Sequence, residues 1–323
     1  MATLGRSGWL GVGIESASGT PVVPADYIPF VASTLIGKHE PIADVAARGL
    51  RDEQYFSSTG RKYGQGDITL NLDPKYSGYL FKMLFGQETT ATVSGAVTTH
   101  TFVPVTTATP VSATFMFDKG AYRENYPYTV VTDLEIDVKN DNKYAEIKAS
   151  VMSQFPVSTA SGTNTTTSGY TLFSFKDLSV QFGATLAAAQ GASATKLTSM
   201  NIKLSNDTET IYRSGNAQPD SFAQRKFTVN GSYGLLLEGV TERDNYYNLT
   251  KQCTIMTFTG AVIAGAYTEK VVITLYNSRI QDLGIETGID NLFATTSNFV
   301  GEYSKADGKT VDVVLQNNKT AAY

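Results

Sequence analysis

The sequence predicts a mainly β protein made of two tandem β-sandwich or half-barrel units, each with one short flanking α-helix. Three observations carry this. The chain twice follows one plan: alternating strand, long polar loop, alternating strand, helical segment, then two closing strands joined by a tight Asn/Asp/Gly turn. Apolar residues in the strand segments recur with a period of two, the spacing that puts one face of a sheet indoors and the other in water. Helix signals are concentrated in a single stretch of the first copy.

Residues 1–29 hold Gly, Pro and short apolar pieces and read as an extended arm. The first unit spans 30–155. Its opening strand covers 30–39, a polar loop 40–64, and a second strand 66–73, in which Ile68, Leu70 and Leu72 alternate with Asp67, Thr69 and Asn71. Asp73 then caps a helix, Pro74 stands where a missing N–H costs nothing, and Gly86 ends the helix in a left-handed conformation. Between them Tyr76, Tyr79, Leu80, Met83 and Leu84 form a helical stripe that should lie across the dry face of the sheet. The unit closes over 132–152. Leu134, Ile136 and Val138 oppose Glu135, Asp137 and Lys139, and past Asn140-Asp141-Asn142 the apolar face continues through Ala145, Ile147, Ala149 and Val151.

A Ser/Thr/Gly-rich bridge over 156–169 leads to the second unit, 170–323. After a small-residue excursion at 184–195, its strands cover 197–205 and 225–238 around a loop at 206–224. Met200, Ile202 and Leu204 face inward. Residues 244–252 read as a shorter helix-like counterpart of the first. The unit closes over 297–317, where Val311, Val313 and Leu315 face inward and Asp307-Gly308 supplies the positive φ of a two-residue hairpin turn.

Composition narrows the function. In 323 residues, hydrophobic types make up 41% but charged types only 17%, so much of the polar surface is neutral and suited to burial against neighbours. A net charge of −4 with few basic clusters excludes a nucleic-acid grip. Cys253 stands alone, which excludes an intrachain disulfide. No apolar run reaches transmembrane length, and the opening residues lack the pattern of a secretion signal, so synthesis in a cytoplasm is expected. Asn-x-Ser/Thr triplets occur at Asn164, Asn206, Asn230, Asn248 and Asn318, a frequency that an Asn/Thr-rich chain reaches by chance.

Nothing in the motifs asks for catalysis, a cofactor or a metal. His39 and His100 neighbour neither Cys nor each other and read as strand-end and loop histidines; Cys253 reads as a small buried hydrophobe in an apolar strand. Gly11-Val12-Gly13 lacks the third glycine and the βαβ setting of a phosphate turn. Carboxylate pairs suited to glycoside cleavage sit on alternating strand faces, where solvation explains them, and one Trp is thin for a saccharide groove. Loop 40–64 is long for a compact domain. Its Arg48, Arg51, Asp52, Glu53 and Arg61, mixed with Tyr55 and Phe56, suit an interface better than a solvated tip.

The opening GWLGVGIESASGTPVVPADYIPF and the strand–helix segment GQGDITLNLDPKYSGYLFKMLFGQ resemble those of phage major tail tube proteins. The resemblance implies tail-tube-type units meeting edge to edge in a ring with a continuous inner β-barrel. Stacked rings would form the hollow tube of the virion tail, through which viral DNA leaves unbound, with loop 40–64 reaching the adjoining ring. Two units per chain imply trimeric rings with pseudo-sixfold symmetry, or hexameric rings if the second unit is an outer decoration. Tape measure, tail terminator and baseplate or tip proteins are the implied partners, with assembly in the host bacterial cytoplasm. A lumen that does not hold its cargo should carry carboxylates, and Glu135, Asp137, Glu146 and Asp312 are the candidates. A tail-tip or baseplate adhesin and a capsid decoration protein are the alternatives.

Overall fold

The computed structural model describes residues 4–24, 26–159, 171–286 and 292–323. Most of the expected bridge, 160–169, lies outside them. The first half carries β1 (Trp9–Ile14), β2 (Asp26–Ile28), β3 (Ala32–Ser33), β4 (Ile36–Asp44), β5 (Phe56–Asn71), α1 (Ser77–Phe85), β6 (Gly86–Ser94), β7 (Val97–Pro104), β8 (Ala113–Asp118), β9 (Arg123–Lys139), β10 (Glu146–Ser153) and β11 (Val157–Ser158). The second carries β12 (Leu178–Gly183), α2 (Leu186–Gly191), β13 (Ser199–Ser205), β14 (Thr208–Ile211), β15 (Ser221–Gln224), β16 (Thr228–Leu236), α3 (Thr241–Tyr247), β17 (Lys251–Ala264), β18 (Tyr267–Glu286), β19 (Ala294–Glu302) and β20 (Val311–Asn317). The protein is mainly β, as the alternation predicts.

Among the described residues, all strands except the β14–β15 hairpin belong to one antiparallel network that does not close into a barrel. Its spine is a broad sheet with neighbours β5, β10, β9, β13, β16, β19 and β18 in that order. β3 and β4 flank β5 at the far side. The two longest strands of the spine serve two sheets each. β9 pairs first with β8, beyond which lie β1 and β2; past a register shift at Ser150/Val151 on its neighbour it enters the spine. β18 likewise pairs first with β17 and β20, meets β19 from Asn277 onward, and shifts register against it at Ile280/Asp282. A bulge adds one residue to one strand and so sharpens its bend, which lets one strand pass from the covering layer into the spine.

The core lies between spine and cover. Leu10, Val12 and Phe115 from the cover share one apolar cluster with Ile68, Leu134, Ile147, Ile202 and Val313, and all are at most 2% exposed. Close approach requires glycine at Gly66, where a Cβ would stand 2.5 Å from the Leu35 backbone. Helix α1 is the element the residues specify most fully. The Asp73 carboxylate accepts from the backbone of Lys75 and Tyr76 ahead of it, and Gly86, at φ 81°, closes it with an N–H to the Lys82 carbonyl. Nearly its whole surface is buried, including Tyr79, Leu80, Met83 and Leu84.

Burial pushes the Asp73 carboxyl up to about 7, against the backbone N–H groups of Tyr76, Lys75 and Ser77 that favour its charged form. The native state therefore holds a proton there that the unfolded chain has already released above about pH 4. Stability from this group is full at low pH and falls as pH rises from about 4 through about 7. Comparing wild type with Asp73→Asn by urea unfolding at pH 5 and pH 8 should show a smaller loss at pH 8 in the variant.

Three expectations need correction. The polar loop at 40–64 is mostly strand: β4 runs on to Asp44 and β5 begins at Phe56, so the segment is a projecting two-stranded arm. Its Ser/Thr/Tyr content satisfies a ladder without needing an apolar stripe, and that hides it from a period-two reading. The strands of 297–317 do not pair with each other. β19 and β20 lie one after the other along the same edge of β18, and Gly308, at φ 72°, ends a short turn bridged by Ser304 and Lys309. The helix expected at 244–252 is α3, which starts three residues earlier and has no fully buried residue, and the second half holds a further helix, α2, in the small-residue excursion.

Candidate assembly surfaces

In β9, Leu134, Ile136 and Val138 point into the core, so Asp133, Glu135, Asp137 and Lys139 must stand on the other face of the spine. Register carries that face across its neighbours. Asp137 lies opposite Glu146 and Asn201, Glu135 opposite Lys148 and Lys203, and Ser150 opposite Asp67. Asn230, Ser232, Asn298 and Asp282 extend the same polar row through β16, β19 and β18. One side of the spine is thus polar from the first half of the chain to the second.

Local pairs fix the charges on this face. Lys139 holds Asp137 at 2.6 Å, Lys148 holds Asp67 at 2.9 Å, and Asn201 donates to Glu135 at 2.8 Å. Partial burial works against the Asp67 anion, yet the Ser150 hydroxyl and Lys148 keep its carboxyl below the usual range. The hydrogen bond from Lys139 to Asp137 raises the Lys139 ammonium in turn. The face keeps more carboxylates than lysines.

Of the four carboxylates singled out by sequence, Glu135, Asp137 and Glu146 meet on this face. Asp312 does not. It lies in β20, between β18 and β7, only 6% exposed, and binds the Tyr276 hydroxyl at 2.6 Å and Lys309 at 2.5 Å. Alternation placed it correctly opposite Val311 and Val313, but both faces of that strand are covered, so the polar side holds a buried ion pair.

The arm formed by β4 and β5 has a fixed base and an open tip. At the base the Arg61 guanidinium lies 4.6 Å from the Tyr212 ring centre, and the Lys62 N–H donates to the Ala217 carbonyl at 2.8 Å. Both partners belong to the segment carrying the β14–β15 hairpin. Arg61 is therefore separated from the tip residues with which sequence grouped it. At the tip Arg48 pairs with Asp44 at 2.5 Å and covers the Tyr55 ring at 4.5 Å, while Tyr55 meets Phe56 edge-on at 6.3 Å. The hydrogen bond from Arg48 lowers the Asp44 carboxyl. Val45, Leu50, Tyr55 and Phe56 are each more than half exposed, beside the exposed Arg51, Asp52 and Glu53. An apolar patch rimmed by charges on a projecting hairpin is the make-up of an interface.

Sequence reasoning missed a buried polar knot. His100 lies in β7 rather than a loop, its ring nitrogens 2.9 Å from Glu88 and 2.8 Å from the Lys319 carbonyl, and Tyr323 donates its N–H to Glu88. The knot ties the last residues of the chain to the first half. Its one signal was the pair of Thr-rich runs about Ser94-Gly95, which form the β6–β7 hairpin with Gly95 at φ 49°. His39 is exposed on β4, and Cys253 is a free, buried thiol that burial pushes up to about 11. Among the described residues no group of three or more His, Cys, Asp or Glu could hold a metal ion.

The family model described as phage tail tube protein matches residues 5–306, nearly the whole chain. The chain belongs to that family. No curated protein matches it closely enough to add to this. The tail tube family is a structural, non-enzymatic one, which makes this chain a structural component of a virion tail. Among its described residues no helix is long and apolar enough to cross a membrane.

Proposed function

We propose that this tail tube chain is the major subunit of the tube, that it assembles into stacked rings, and that viral DNA leaves through their lumen. The observation that carries the reading is the spine: an open sheet, dry on one side and polar on the other, that crosses from one half of the chain to the other. An open sheet of this width leaves edges that invite further strands, and closure around a ring removes them. The polar face is then the lumen. Glu135, Asp137 and Glu146 repel phosphate and keep the passing DNA from sticking.

Two tandem units within 30–155 and 170–323 fit the pairing order. β3, β5, β10 and β9 follow one another as β13, β16, β19 and β18 do. Two units per chain favour three chains per ring with pseudo-sixfold symmetry over six chains. The exposed arm tip, with Arg48, Arg51, Asp52, Glu53, Tyr55 and Phe56, reaches the next ring of the stack, while Arg61 braces the arm. Tape measure, terminator and baseplate or tip proteins bind the ends or lumen of such a tube. Negative-stain microscopy of the purified protein tests the reading: stacked rings or tubes are expected, and discrete monomers at every concentration would refute it.

A further inference from the structure

The strands β9 and β18 match beyond their pairing order. Each carries its register shift at the same point of a similar sequence, Thr132-Asp133-Leu134-Glu135-Ile136-Asp137 in one and Gln281-Asp282-Leu283-Gly284-Ile285-Glu286 in the other. Their surroundings differ on one edge. Beyond β8, the free edge of β9 is taken by β13, with Leu204 opposite Leu134 and Ile202 opposite Ile136. Beyond Arg279, where pairing with β17 stops, the matching edge of β18 has no paired strand among the described residues. Burial follows pairing. Ile136 is 2% exposed and Ile285 is 47% exposed, although the two occupy the same place in their strands.

The missing neighbour has a counterpart in the same chain. β13 pairs with β16 on its other side, and the stretch beginning at β3 pairs with β5 in the same manner. Ala32 faces Thr69 and Ile36 faces Gln65 where Ser199 faces Gly234 and Lys203 faces Asn230. Among the described residues this stretch is paired on one side only. On its outer edge the Leu35 N–H donates to the Ser33 hydroxyl at 3.2 Å and the Leu35 carbonyl accepts from the Tyr126 hydroxyl at 3.3 Å, contacts that a joining strand would replace, and Ile36 is 51% exposed.

Resting on the proposed ring assembly, we infer that the joint between copies repeats the joint inside the chain: residues 282–286 of one copy pair antiparallel with residues 34–38 of the next. Carrying over the internal register puts Leu35 opposite Ile285 and Lys38 opposite Asp282. The first contact buries an apolar residue that the isolated chain leaves half in water. The second sets opposite charges face to face, as Lys203 stands opposite Glu135 within the chain. The partner that fits this surface is a second copy of the same chain, because the edge that matches it is the chain's own.

Oxidative cross-linking tests the register. Lys38→Cys with Asp282→Cys alters two exposed positions, and Cys253 is buried and does not compete. In assembled wild-type-like rings, Cβ atoms about 5 Å apart should form a disulfide between chains. The control pair Thr34→Cys with Asp282→Cys, offset by four residues or about 13 Å, should give about tenfold less cross-linking. Rings or tubes that form normally with no cross-link, or with equal cross-linking in both pairs, overturn the joint while leaving the assembly reading intact. A wild-type chain that never assembles overturns the assembly reading and the joint with it.

Discussion

Replacing residues 45–55 with an Asn-Gly turn is expected to give a folded chain that no longer forms tubes. The geometry favours a clean cut, because Asp44 and Phe56 already face each other across the arm. A two-residue turn of positive φ fits such a pair and its twist. Folding has little to lose. The removed residues are exposed, and none belongs to the apolar clusters of the core. The shorter loop also costs less to close, by roughly 1.5 kcal/mol. Thermal unfolding should therefore stay within about 2 °C of wild type. Assembly loses Val45, Leu50 and Tyr55 together with the charged rim of Arg48, Arg51, Asp52 and Glu53. If those residues carry the contact between rings, pelletable tubes fall at least about tenfold, the change expected from losing as little as 1.4 kcal/mol at the contact. Tubes of normal length from this variant would remove the arm from the stacking mechanism and leave it a solvated projection.

The parts of the fold that were legible are those in which one residue type answers one physical demand. Leu134, Ile136 and Val138 alternate with Asp133, Glu135 and Asp137 because one face of β9 is dry and the other wet. Gly86 marks the end of α1, and Asp73 orders the turn that leads into it rather than its first residue, which is Ser77; each satisfies a particular backbone need. Legibility fails where tertiary structure supplies what the local pattern lacks. The arm at 40–64 holds its ladder by pairing alone, so no apolar period marks it. Asp312 sits on the polar side of its strand, yet Tyr276 and Lys309 cover it, and a carboxylate in an ion pair looks the same in sequence as one in water. The closing segments 132–152 and 297–317 look alike, but β9 and β10 pair directly, whereas β19 and β20 share an edge of β18. Strand partners far apart in sequence leave no local trace. The Glu88–His100–Lys319 knot left only the Thr-rich runs of its hairpin as a trace for the same reason, since its members come from two hairpin strands and the far end of the chain.

Substituting alanine at two matched positions should then produce opposite phenotypes. Ile136 is buried where β9 meets β13, and its loss leaves a cavity in a packed core, with an expected cost of about 2–5 kcal/mol to the isolated chain. Ile285 holds the matching place in β18 but is 47% exposed, so Ile285→Ala should cost the isolated chain under about 1 kcal/mol. In the ring, Ile285 is expected to meet Leu35 of the next copy and become as buried as Ile136. Burying such a side chain is worth roughly 1.5–3 kcal/mol. Losing part of that at every joint raises the concentration needed for assembly about tenfold or more. Urea unfolding of the unassembled protein and sedimentation across a concentration series read the two quantities separately. Equal destabilisation of the two monomers, or assembly of Ile285→Ala at the wild-type concentration, would show that the internal joint is no guide to the external one. The expected split follows from a single physical difference: one isoleucine already has its neighbouring strand, and the other acquires it only from a second molecule.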